Sequence, residues 1–75
     1  MEEIKQFFKE IGKENIDENS KNLVTNGLID SLDIMKLVTK IEDFYDQELD
    51  MDFIMPENFE DFKTIEAMIK KAFNL

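Results

Sequence analysis

The sequence predicts an all-α fold: a small four-helix bundle of three longer helices and one short one, with a long first loop. Three observations carry this. Apolar residues recur at i, i+3, i+4 and i+7 in three separate stretches, which is the helical period. No stretch shows the alternation of a half-buried strand. A polar segment, 14–30, is too long for a simple hairpin and divides the first stripe from the second. A chain of 75 residues is read as a single domain, 1–75, with a small core and little stability to spare.

The first helix is expected over 2–13, where Ile4, Phe7, Phe8 and Ile11 form the stripe and Gly12 begins to weaken it. Glu2 and Glu3 sit where acidic side chains favour a helix start. The connection 14–30 is rich in Asn, Asp and Ser. Leu23, Val24, Leu28 and Ile29 can pin it across the helices, with a short helical turn near 20–24. Asn26-Gly27 reads as a turn. Asp30 then has the character of an N-cap, which makes Ser31 the first residue of a helix running to Tyr45.

On that second helix Ile34, Leu37, Val38, Ile41 and Tyr45 cluster on one face, and Phe44 adjoins them. Ser31 lies beside this face, Leu32 roughly opposite it, and Met35 more than a quarter-turn away. Leu32 and Met35 therefore suit either single exposed positions or a small apolar docking spot, rimmed by Asp33, Lys36, Thr39, Lys40 and Asp43. Lys36 and Lys40 stand at like-charge spacing and can balance Asp33 and Asp43.

Segment 46–56 is a second connection, followed by a short helical turn over 57–62 that starts just after Pro56. Six acidic and no basic residues lie between Glu48 and Asp61, which reads as solvated surface interleaved with apolar anchors. Their spacing lacks the glycine and closing glutamate of an EF-hand loop. The last helix is expected over 64–73, striped by Ile65, Met68, Ile69, Ala72 and Phe73, with Thr64 as a cap outside any capping box. The core should draw on Phe7, Phe8, Ile11, Leu37, Val38, Ile41, Phe62, Ile65, Met68 and Ile69.

Composition narrows function. The chain has no cysteine and no histidine, hence no thiolate nucleophile, no zinc–thiolate site and no imidazole base. Independent catalysis is not expected. Eighteen acidic against nine basic residues, a net charge of −9, disfavour nucleic acid and anionic membrane, and suit either basic protein surfaces as partners or solubility alone. Neither a signal peptide nor a transmembrane run is recognised, so a cytoplasmic location is expected by default, and the chain is taken as a monomer.

The remaining question is Ser31. A serine at a helix start is an ordinary polar residue, yet the helix dipole and first-turn N–H groups would favour a phosphodiester on its hydroxyl. Asp30-Ser31-Leu32, preceded by Gly27-Leu28-Ile29 and followed by Asp33 and an Ile/Leu/Val-striped helix, resembles the attachment site of the acyl carrier and peptidyl carrier proteins. Length, acidity and helix order are similar to that family as well.

The resemblance implies a 4'-phosphopantetheine arm on Ser31, installed from coenzyme A by a phosphopantetheinyl transferase. It implies acyl or aminoacyl cargo held as a thioester, a loading ligase or synthase, and a downstream transferase. Asp30, Leu32 and Asp33 would orient the site, and the second helix, with Met35, Lys36, Thr39, Lys40 and Asp43, would meet partners. The two lysines depart from the largely acidic face of many fatty-acid carriers, which points to a dedicated pathway. The 27–31 pattern looks more like the peptidyl and D-alanyl branches, while fatty-acid, polyketide, peptide and specialised lipid or sugar cargo all stay open. The alternative is an unmodified carrier-like scaffold in which Ser31 is merely part of a helix start.

Overall fold

The computed structural model describes residues 2–75. Three α-helices, α1 (Glu2–Glu10), α2 (Ser31–Tyr45) and α3 (Phe62–Phe73), pack together, and two 3-10 turns, Met51–Phe53 and Pro56–Phe59, lie between α2 and α3. Among the described residues the fold is thus all-α, with three α-helices and two single 3-10 turns where one short fourth helix is expected.

Helix α1 ends at Glu10, three residues earlier than its stripe suggested. Gly12 takes φ +82°, and the N–H groups of Lys13 and Gly12 donate to the carbonyls of Phe8 and Lys9 at 2.8 and 3.1 Å. This paired arrangement satisfies the last carbonyls and stops the helix at glycine. Ile11 consequently lies in the turn and is only partly buried against the core.

Helix α2 keeps its expected bounds. Its apolar face, Ile34, Leu37, Val38 and Ile41, is at most 6% exposed. Phe44 departs from that stripe: it is 58% exposed and meets the edge of Phe7 at 5.5 Å between ring centroids. Tyr45 is half-buried, and its hydroxyl donates to Glu3 of α1.

The region before α3 differs most from its expected form. Pro56 is the first residue of its 3-10 turn rather than the residue before it, and the turn closes at Phe59, not 62. Helix α3 starts two residues earlier than its stripe suggested, because Asp61 rather than Thr64 is the N-cap. Asp61 Oδ1 accepts the Thr64 N–H at 2.8 Å, and Thr64 Oγ1 accepts the Asp61 N–H at 3.1 Å. The box is present after all, with threonine in the reciprocal position. Phe62 accordingly belongs to α3.

The core joins these elements through aromatic packing. Phe8 of α1 stacks on Phe62 of α3 at 5.2 Å and an interplanar angle of 17°, and Phe59 is fully buried. The long loop also belongs to the core. Ile16, Leu23 and Ile29 are all at most 4% exposed, whereas Leu28, expected to pin the loop, is 46% exposed.

Candidate functional site

Segment 22–30 delivers Ser31 to the surface. Asn22 opens it with φ +54°, and residues 23–27 form hydrogen-bonded turns in which Gly27, at φ +71°, occupies a conformation suited to glycine. The Leu23 carbonyl accepts the N–H groups of both Leu28 and Ile29, at 2.8 and 3.1 Å. Buried Ile29 then anchors the chain immediately before α2.

Asp30 caps α2 through a reciprocal pair. Its Oδ1 accepts the Asp33 N–H at 2.9 Å, and Asp33 Oδ2 accepts the Asp30 N–H at 3.1 Å. The Asp33 N–H bond is the largest cause holding the Asp30 carboxyl below its ordinary value. The box also alters the expected anion site, because a first-turn donor that a phosphodiester could use is already bound to Asp30.

Ser31 is the first residue of α2 and is exposed. The chain has two serines, Ser20 and Ser31. Ser20 is half-buried, and its hydroxyl oxygen accepts the Asp17 N–H at 3.1 Å. Among the described residues, Ser31 is thus the one exposed serine, and its hydroxyl fits covalent attachment of a group as large as phosphopantetheine.

The other expected site residues divide into two sets. Leu32 and Met35, 63% and 51% exposed, flank Ser31 together with Leu28, and Lys36 and Asp43 are exposed farther along α2. Thr39 is exposed, but its hydroxyl donates back to the Met35 carbonyl at 3.1 Å. Lys40 leans towards α1 and pairs with Glu10 at 3.5 Å, while Asp33 pairs with Lys13 at 3.6 Å. Asp33 thus finds its ion-pair partner in Lys13, and Lys40 finds one in Glu10 of α1.

Two functional neighbours escaped the sequence reading. Lys13, besides its pairing with Asp33, donates to the Leu28 carbonyl at 3.2 Å. Glu60 binds the 23–25 turn from 35 or more residues away. Both contacts join distant segments, and Glu60 lay in the acidic run read as solvated surface. In the sequence only the exceptional length of segment 14–30 signals that it needs anchoring.

Acid should loosen these contacts. Glu3, Asp30, Glu60 and Asp61 are all held below their ordinary values, first by hydrogen bonds from Tyr45, Asp33 N–H, Thr25 and Thr64 N–H respectively. Folded values below unfolded ones mean a stabilisation fully present above the ordinary 4.5 of Glu and 3.8 of Asp. It is lost as pH falls through the lowered folded values. Relief of the net −9 charge works the other way, so urea midpoints should hold or rise from pH 7 to 4.5 and fall below 3.8. A midpoint that keeps rising down to pH 2.5 would contradict this.

No helix among the described residues is long and apolar enough to cross a membrane. Residues 2–71 match a protein-family model described as phosphopantetheine attachment site. No curated protein and no solved structure matches the chain.

Proposed function

The chain belongs to the phosphopantetheine-binding carrier family, whose members are non-catalytic and hold a covalent 4'-phosphopantetheine arm, and from that premise we propose that Ser31 is the residue bearing it. The observation supporting this choice is the exposed serine at the first position of α2, at the end of an anchored loop. Residues 1–75 act as a single carrier unit in this reading.

When bound, the arm supplies a terminal thiol that carries acyl or aminoacyl cargo as a thioester. The chain's own part is to present a hydroxyl and a surface. With neither histidine nor cysteine, it has no imidazole or thiolate to deprotonate Ser31, so the phosphopantetheinyl transferase brings the base. Asp30 and Asp33 hold the start of α2 rigid through their box. Leu28, Leu32 and Met35 give partners an apolar contact beside the serine, and Lys36 and Asp43 contribute to discrimination among them. The mixed charge of this surface supports a dedicated loading ligase or synthase and downstream transferase.

Incubation with coenzyme A and a promiscuous transferase tests the assignment. The intact mass should rise by one phosphopantetheine, mapped by peptide fragmentation to Ser31. No addition to folded protein by several competent transferases would favour an unmodified scaffold. Leu32→Ala should shift stability by no more than about 0.5 kcal/mol, since the side chain is 63% exposed. The same variant should lower transferase kcat/KM severalfold, and unchanged kinetics would remove Leu32 from the docking contact.

A further inference from the structure

The loop that ends at Ser31 is held by one residue from the other half of the chain. Glu60 stands between the Pro56–Phe59 turn and α3. Its backbone carbonyl accepts the Leu23 N–H at 2.9 Å. Its Oε1 accepts the N–H groups of Val24 and Thr25 at 2.9 and 3.1 Å, and its Oε2 accepts the Thr25 hydroxyl at 2.6 Å. Three consecutive residues thus converge on one glutamate.

Leu23 passes this restraint onward. Its N–H is bound to Glu60 while its carbonyl holds the N–H groups of Leu28 and Ile29. Ile29, 1% exposed, directly precedes the cap of α2. A continuous path of hydrogen bonds and covalent backbone therefore runs from Glu60 through Leu23 and Ile29 to Asp30 and Ser31. Taking the assignment of Ser31 as its basis, we propose that Glu60 is a positioning residue for modification of that serine, acting through the 23–29 loop.

The physical argument concerns what happens when the carboxylate is removed. The N–H groups of Val24 and Thr25 lose a charged acceptor, the strongest kind available to them. Glu60 and Val24 are half-buried and Thr25 is exposed, so water can replace the lost partner and the bundle need not unfold. The loop instead opens locally more often. The charges beside this contact are Asp61, which opposes the Glu60 charge, and Lys21, which pairs with Asp61 at 3.7 Å. A carrier with its loop open must close it before docking, which reduces the competent fraction and raises apparent KM while leaving kcat in place.

The test compares wild type, Glu60→Ala and Glu60→Gln as full chains, by amide hydrogen exchange and by steady-state modification with coenzyme A and a transferase. In Glu60→Ala the amides of Val24, Thr25, Leu28 and Ile29 should lose protection by about tenfold or more, with Met68 and Ile69 of α3 unchanged. KM for the carrier should rise about threefold or more at constant kcat. Glu60→Gln keeps one carbonyl acceptor and should recover part of both effects. Should the alanine variant fail to fold, Glu60→Gln and Thr25→Val carry the same comparison with smaller changes.

Unaltered loop exchange, or a loosened loop with unaltered KM, would overturn the positioning role. Failure of wild type to be modified at Ser31 is a separate outcome: it overturns the assignment of Ser31, and the positioning role with it.

Discussion

Ser31→Ala should give a fully folded protein that accepts no phosphopantetheine, a complete loss where wild type gains one arm. The two halves of this expectation have different physical sources. Loss follows because the attached oxygen is gone, and Ser20 is half-buried with its hydroxyl oxygen engaged by Asp17. Retention of fold follows because Ser31 is exposed and the cap uses Asp30 and the backbone of Asp33, not the side chain between them. Alanine is also about 0.5 kcal/mol better than serine in a helix, so the melting midpoint should stay level or rise slightly. Intact mass and circular dichroism read the two halves independently. An adduct persisting on the variant would place the arm elsewhere.

Phe8→Ala should have the opposite character, a large loss of stability without touching Ser31. Phe8 is 0% exposed and stacks on Phe62, so its ring joins α1 to α3. Truncating a buried phenylalanine to alanine costs about 3–5 kcal/mol. A domain of this length has a total stability of about 4–11 kcal/mol, from a per-residue range of about 0.05–0.15 kcal/mol. The loss therefore consumes about a quarter of the stability at the least and exceeds the whole of it at the most. Phe44→Ala provides the control: that ring is 58% exposed and touches Phe7 only edge-on, so its loss should be much smaller. Urea unfolding of both variants checks the ranking, and equal midpoints would contradict it.

The contrast shows which parts of the molecule are legible in its amino acids. Helix α2 was readable to the residue at both ends, because Asp30 is a local cap and the stripe from Ile34 to Ile41 depends only on helical periodicity. Of the ten residues expected in the core all but Ile11 are buried, Ile11 having moved into the turn once Gly12 ended α1 early, but Ile4, Ile16, Leu23, Ile29, Ile34, Leu49, Phe59 and Phe73 belong to the core as well. The start of α3 was misplaced because Asp61 and Thr64 form a cap that the apolar stripe does not announce. Around the site, the exposure of Leu32 and Met35 followed from angles on a helix. Partners of Asp33, Lys40 and Glu60 did not, since each lies on another element.

By itself, then, the sequence determined an all-α chain, the helix that begins at Ser31, most of its buried face and the likeness to carrier proteins. These rest on interactions within a few residues, whose geometry the backbone sets. Tertiary structure alone decided how the 14–30 loop is held. Ile16, Leu23 and Ile29 bury into a core made by distant helices, and Lys13 and Glu60 reach the loop across long stretches of chain. Such contacts have no period and no fixed spacing. They exist only after the helices have packed and brought those groups within bonding distance.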